Sequence, residues 1–127
     1  MHKSKLAGFI VDCCTDDLPA AAKFWGAALG MQVQSEPGEQ ASKYIRLIDR
    51  NNGLDIEVQS VTHPSRVHLD IETDNIEAEV ARLEALGAKR VEKVKSWWVM
   101  QAPTGHRFCV VRAEDSAPFR SNASVWP

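Results

Sequence analysis

The chain has 127 residues, of which 44% are hydrophobic and 25% are charged, and its formal net charge is -2. This composition is typical of one globular domain with its own core. The weak negative charge argues against a nucleic-acid or anionic-membrane partner, and no apolar run is long enough to span a bilayer. Three cysteines, two of them adjacent, make a poor disulfide framework, so we expect a cytoplasmic location.

The first half of the chain predicts the order β-α-β-β-β. Residues 6–15 alternate and are rich in Phe, Ile and Val, which predicts a strand. Asp16 or Asp17 can cap the helix that follows, and Gly30 is a typical helix end. The sequence then predicts a strand at 31–34, a loop at 35–43, and strands at 44–48 and 54–61.

The second half predicts the same order after a linker at 62–65. Asp74 begins the predicted helix, Glu77 completes a capping-box pattern, and Gly87 ends the helix. The tail at 113–127 has no periodicity and is predicted to be peripheral to a single domain of residues 1–112, although Trp126 can anchor it. The predicted strands lie at 67–73, 88–94, 97–101 and 107–112.

The two halves also share residues at matching places. Aligning Asp12 with Asp70 also aligns Thr15 with Thr73, and each half later contains Ala-Leu-Gly. A repeat of this length indicates two similar supersecondary units that share one core. Paired units put equivalent side chains on both walls of one cleft.

Strand alternation predicts which side chains can carry chemistry. The sheet face that packs on each helix must be apolar, so alternate residues point to the opposite face. A carboxylate and an imidazole on that face can bind a divalent metal or transfer a proton. The residues assigned to it are Ile10, Asp12, Cys14, Asp55, Glu57, Gln59, His68, Asp70, Glu72, Arg107, Cys109 and Val111.

These stretches resemble the vicinal oxygen chelate superfamily, the group of glyoxalases, bleomycin-resistance proteins and extradiol dioxygenases. In the first half the resemblance rests on Asp12-Cys13, Phe24-Trp25 and Ala-Leu-Gly at 28–30. In the second half it rests on the segments 66–70, 85–88 and 102–109, together with Asp74. It covers residues 6–112.

The resemblance implies an α+β fold. Two βαβββ modules, about 6–61 and 66–112, would form a curved mixed sheet around a ligand cleft, often in a homodimer. Metal-using members take one ligand from the first and one from the last strand of each module. Those positions fall on Ile10, Glu57, His68 and Cys109. Glu57 and His68 fit the usual residue types, Ile10 cannot coordinate a metal, and Cys109 offers a soft thiolate.

The candidate site follows from these positions. His68 and Glu57 are candidate catalytic residues and metal ligands, and Cys109 is a further candidate ligand. Each of the three has a purely structural alternative. His68 can be a hydrogen-bonded strand residue, Glu57 a solvated surface residue and Cys109 a small buried residue. Adjacent Trp97 and Trp98 point to opposite faces, so either one of them stacks on a ligand or both pack in the protein. For Asp12, the alternative to a role in the ligand pocket is an architectural hydrogen bond. The candidate ligand-pocket residues are Asp12, Glu72, Trp97, Trp98 and Arg107.

The resemblance thus implies a glyoxalase-like protein that acts on or binds a small organic molecule. In one interpretation, Zn, Mn, Ni or Fe bound through His68 and Glu57 polarises vicinal oxygens in lyase-type or isomerase-type chemistry. In the other, the protein sequesters a small molecule without catalysis, as bleomycin-resistance proteins do. No nucleic acid or membrane is expected as a partner.

Overall fold

The computed structural model describes residues 1–34 and 43–127. The predicted loop at 35–43 therefore lies outside the described residues, apart from Lys43. The elements in chain order are β1 (His2–Cys14), α1 (Leu18–Leu29), β2 (Gln32–Gln34), β3 (Tyr44–Ile48), β4 (Asp55–Val61), β5 (Arg66–Thr73), α2 (Ile76–Ala85), β6 (Lys89–Val94), β7 (Trp97–Gln101), β8 (Arg107–Arg112), α3 (Ala117–Asn122) and β9 (Ser124–Trp126).

The chain divides into two compact units, Gly8–His68 and a unit made of Met1–Ala7 with Leu69–Pro127. Each contains parallel and antiparallel strand pairs and a helix. The predicted α+β class and the repeated βαβββ order are confirmed. No helix in the described part of the chain is long and apolar enough to cross a membrane.

The unit Gly8–His68 is built on the strand order β2-β3-β4-β1. β1 runs parallel to β4, and Gly8 pairs with Asp55. A Cβ at Gly8 would lie 1.9 Å from the Asp55 carbonyl oxygen, so only glycine allows this close approach. The buried core between α1 and the sheet consists of Leu18, Ala22, Ile45, Leu47, Ile56 and Val58.

Helix α1 begins and ends as the sequence predicts. The Asp17 side chain accepts a hydrogen bond from the Ala20 N–H, and Gly30 adopts the left-handed conformation with φ of 68°. Helix α2 differs, because Asn75 rather than Asp74 is its cap and accepts from the Ala78 N–H. Asp74 instead accepts from the backbone N–H of Lys3.

The second unit is built on the order β5-β8-β7-β6, with β5 parallel to β8. Its core lies between this sheet and α2. β9 pairs antiparallel with the start of β1, within the same unit. The buried core residues are Val80, Leu83, Ala88, Met100, Phe108 and Val110.

The tail contains two elements that the sequence does not predict, α3 and β9. Ser116 caps α3 by accepting from the Phe119 N–H, and Phe119 is buried. Trp126 in β9 donates a hydrogen bond from Nε1 to Ser4 Oγ at 2.8 Å. Trp126 thus ties the tail to β1, as the sequence suggests. Helix α3 has only six residues, which is too few to show a helical periodicity in the sequence.

A buried polar cluster joins β1, α2 and β9. Glu79 is fully buried, and its carboxylate accepts from His2 Nε2 at 2.7 Å and from two guanidinium N–H groups of Arg82 at 2.8 and 2.7 Å. The Arg82 guanidinium also lies 3.9 Å from the ring centroid of Trp126. Burial alone would raise the pKa of Glu79, but hydrogen bonds from Arg82, His2 and Ser4 outweigh it and hold that pKa below its ordinary value.

We expect Glu79→Gln to lower the free energy of unfolding by about 2 kcal/mol near pH 7, because it weakens hydrogen bonds made to a charged acceptor. The pKa of Glu79 is lower in the folded state, so its stabilisation is complete above the unfolded value of about 4.3 and is lost as pH falls through the folded value. Urea unfolding between pH 7 and pH 3 measures this.

The matched control for this experiment is Glu114→Gln, at an exposed position in the tail. It should leave the free energy of unfolding nearly unchanged at every pH. Equal stability of Glu79→Gln and wild type at pH 7 would contradict the stabilising role of the cluster.

Candidate functional site

One face of β5 carries most of the predicted chemistry. Ile71 packs against the core under α2, so its neighbours Asp70 and Glu72 point to the opposite face. His68 lies two residues before Asp70 in the same strand and shares that face. Its side chain is 14% exposed, so the imidazole is largely shielded from water.

The parallel pairing of β5 with β8 adds a thiol to this face. Asp70 is the direct partner of Cys109. One ligand atom from each of His68, Asp70 and Cys109 lies within 4.8 Å of the other two. All three residues are half-buried. A nitrogen, an oxygen and a sulfur donor are thus gathered by one strand and its immediate neighbour.

Asp12 holds His68 from β1. Its Oδ2 lies 2.7 Å from His68 Nδ1, and its side chain is only 2% exposed. Arg66 Nε lies 3.8 Å from the same oxygen, with a half-exposed side chain. The predicted candidates Asp12 and His68 are therefore brought into direct contact.

Glu57 lies on β4, where its direct partner on β1 is Ile10. Its Oε1 lies 3.7 Å from an Arg46 guanidinium nitrogen, and its side chain is 24% exposed. Within the described ranges, Glu57 does not belong to the grouping of His68, Asp70 and Cys109. Ile10 is buried beside Glu57.

The two adjacent tryptophans lie on opposite faces, as the sequence predicts. Trp98 pairs with the buried Val110 and packs on the core under α2. Its Nε1–H donates to Glu77, which lowers the pKa of Glu77. Glu77 therefore binds Trp98 and does not complete the predicted capping box. Trp98 itself packs on the helix side of the sheet, and its place in the ligand pocket stays a prediction.

The other predicted pocket residues lie in the second unit. Trp97 alternates with Trp98 and therefore shares the face of Cys109. Arg107 precedes Cys109 by two residues in β8 and also shares its face. Glu72 Oε1 lies 3.9 Å from Lys5 Nζ. Trp97, Arg107 and Glu72 are half-buried and stay predicted pocket residues.

The three cysteines are all free thiols. Cys13 packs on the core under α1, and burial raises the pKa of its thiol despite a hydrogen bond from Trp25. Cys14 is exposed at the end of β1. Of the three thiols, only Cys109 belongs to a grouping of metal-ligating side chains within the described residues.

The family model described as the glyoxalase-like domain matches residues 8–111. The chain belongs to this family. Its place in the vicinal oxygen chelate superfamily agrees with the βαβββ repeat and with the solved structures that it resembles. No curated protein matches the chain.

Solved structures share the fold of this glyoxalase-like domain at low sequence identity. A hypothetical protein from Bacillus halodurans C-125 is 10% identical, with a TM-score of 0.65 over 90% of this chain and 97% of that one. Methylmalonyl-CoA epimerase from Mycobacterium tuberculosis is 13% identical, with a TM-score of 0.62 over 86% and 87%. A glyoxalase/bleomycin resistance protein/dioxygenase superfamily member from Vibrio splendidus 12B01 is 17% identical, with a TM-score of 0.58 over 87% and 99%.

Asp70 is the residue in this grouping that the sequence did not assign as a ligand. Two signals pointed to it: its spacing of two residues from His68 and its place on the acidic face. What the sequence lacked was the register that sets Asp70 beside Cys109. The alignment of the two modules makes Cys109 the counterpart of Glu57 and His68 the counterpart of Ile10. Because Glu57 pairs with Ile10, the alignment suggests His68, not Asp70, as the strand partner of Cys109.

The donor set of His68, Asp70 and Cys109 fits a zinc ion. Zinc accepts imidazole nitrogen, carboxylate oxygen and thiolate sulfur, and catalytic zinc sites commonly use three protein ligands. The thiolate argues against magnesium or calcium, which prefer oxygen donors. The contact between His68 and the Asp12 carboxylate matches the support that metal-binding histidines usually have.

Proposed function

We propose that this glyoxalase-like domain binds one divalent metal, most suitably zinc, through His68, Asp70 and Cys109, and acts on a small organic molecule there. The observation that carries the proposal is the proximity of three different ligand atoms, all within 4.8 Å of one another. A bound zinc ion would supply a Lewis acid for substrate oxygen atoms. This ligand set replaces Glu57 of the sequence-based hypothesis by Asp70.

Glu57 is proposed to move a proton at the substrate. It shares a sheet face with Ile10, its direct strand partner, and with Asp12 two residues further on. Arg46 restrains the Glu57 carboxylate from the neighbouring strand. A restrained carboxylate beside an apolar residue suits general acid–base catalysis, because it meets the substrate in one orientation.

The substrate class follows from these groups. A carboxylate base and a Lewis acid together suit a molecule with a carbonyl oxygen and an acidic proton on the neighbouring carbon. Trp97 and Arg107 are proposed to contact its remaining parts, one through ring stacking and one through charge. Isomerase-type or lyase-type chemistry is consistent with this set.

The second candidate function is sequestration of a small molecule without catalysis. The observation that favours it is Ile10, which is 4% exposed and occupies one of the four ligand positions that the resemblance implies. Isoleucine cannot bind a metal, so the ligand set of metal-using relatives is incomplete here. This function requires neither metal nor proton transfer.

We expect wild type to bind one zinc ion per chain, and His68→Ala, Asp70→Asn and Cys109→Ser to weaken binding. The loss should be at least about 100-fold for His68→Ala, since losing even an outer partner of a ligand costs 10- to 100-fold. Isothermal titration calorimetry gives affinity and stoichiometry. Alkylation of single thiols, read by peptide mass spectrometry, should show zinc protecting Cys109 but not the exposed Cys14.

The control variant for zinc binding is His106→Ala, which removes an exposed imidazole in the turn between β7 and β8, where its Nδ1 lies 2.7 Å from Thr104 Oγ1. It should bind zinc like wild type. Binding that His68→Ala leaves unchanged would contradict the site. No zinc binding by wild type would favour the sequestering function.

We expect Glu57→Gln to abolish proton transfer while leaving zinc affinity within about twofold, because Glu57 lies outside the ligand grouping. Methylmalonyl-CoA is a suitable first probe, since one structural neighbour is a methylmalonyl-CoA epimerase. Exchange of its α-proton in D2O, followed by NMR, reports the step. Equal exchange by Glu57→Gln and wild type would contradict the role of Glu57, and no exchange by zinc-loaded wild type would favour sequestration.

A cytoplasmic homodimer is proposed as the working state. The free cysteines support a reducing location, and the family resemblance supports the dimer. Sedimentation equilibrium of the purified chain should give twice the 14.1 kDa chain mass. A single-chain mass at every concentration would contradict the dimer.

A further inference from the structure

The carboxylate of Asp12 is buried in a way that core packing does not explain. The side chain is 2% exposed, and its Oδ1 is buried without a hydrogen-bond partner among the residues that the structure describes. A buried carboxylate with an unsatisfied oxygen destabilises a fold, whereas an apolar side chain of similar size would not. The residue at this place therefore has a use other than filling the core.

The contact that Asp12 does make is specific. Its Oδ2 lies 2.7 Å from His68 Nδ1, within the unit Gly8–His68. A carboxylate can only accept hydrogen bonds, so the neutral imidazole must carry its hydrogen on Nδ1. Any metal or substrate that His68 meets is then met through Nε2.

Other groups near Asp12 do not replace this contact. Arg66 Nε lies 3.8 Å from Oδ2, beyond hydrogen-bond distance, on a half-exposed side chain. The partner of Asp12 on β4 is Gln59, whose amide donates to the Tyr44 hydroxyl. Within the described ranges, the imidazole of His68 is thus the group that Asp12 binds most closely.

We propose that Asp12 is a positioning residue that fixes His68 in the Nδ1–H tautomer and aims Nε2 at the ligand. This inference rests on the proposed function, because it assigns the atom through which His68 binds zinc. It also gives the repeated aspartates two different uses, with Asp12 behind the histidine and Asp70 beside it.

The test is the side-chain 15N NMR spectrum of the zinc-free protein near pH 8.5, about two units above the ordinary imidazole pKa. The His68 signals are identified by their loss in His68→Ala. Wild type should show the Nδ1–H tautomer. An Nε2–H tautomer in wild type would overturn the proposal, and this measurement needs no variant to fold.

The variant test uses Asp12→Asn, which keeps the shape but adds donor groups, and Asp12→Leu, which removes the acceptor. In both, the His68 signals should move toward the Nε2–H tautomer, and zinc affinity should fall about 10- to 100-fold. Asp16→Asn, at an exposed position in the β1–α1 connection, is the matched control and should change neither readout.

The outcomes separate this inference from the proposed function. Failure of wild type to bind zinc would overturn the metal site, while the tautomer still decides the role of Asp12. Normal zinc binding with an unchanged His68 tautomer in folded Asp12→Asn and Asp12→Leu would overturn the positioning role alone. A merely structural role for Asp12 would alter stability without moving the tautomer.

Discussion

The candidate site depends on the parallel pairing of β5 with β8. Ile71 pairs with Val110, which is fully buried against α2, so core packing fixes the register of the two strands. That register sets Asp70 beside Cys109 on the opposite face. A shift of one residue in the register of β5 and β8 would bury these polar side chains and expose the core. The burial of the apolar face therefore fixes which residues are neighbours on the polar face.

The same packing rule gives a different result in the other unit. Val11 pairs with Val58 in the α1 core, which places Ile10 beside Glu57 on the opposite face. By sequence alignment, Ile10 corresponds to His68 and Glu57 to Cys109. Cys109, however, pairs with Asp70, two residues beyond His68. A shift of two residues keeps every side chain on its face, so it changes the neighbours without disturbing the core.

Local sequence patterns were sufficient to predict the elements of the two βαβββ repeats and the faces of their strands. Asp17 and Gly30 bound α1 through contacts within a few residues, and the apolar alternation in β4 and β8 identified the helix side. Non-local contacts limited the rest. Asn75 caps α2 because Asp74 is engaged by the Lys3 backbone, and the short α3 is held by burial of Phe119. Neither contact leaves a periodic signal in the sequence.

The duplication also clarifies why residue identity alone could not assign the site. Asp12 and Asp70 match in the repeat, and both point away from the helices. Yet Asp12 lies against an imidazole, whereas Asp70 lies beside a thiol in its own strand pair. A repeated position therefore does not define one chemical role, because the role depends on the side chain that the neighbouring strand presents. In this protein, strand register gives the two repeated aspartates different partners: Asp12 contacts the His68 imidazole, and Asp70 lies beside Cys109.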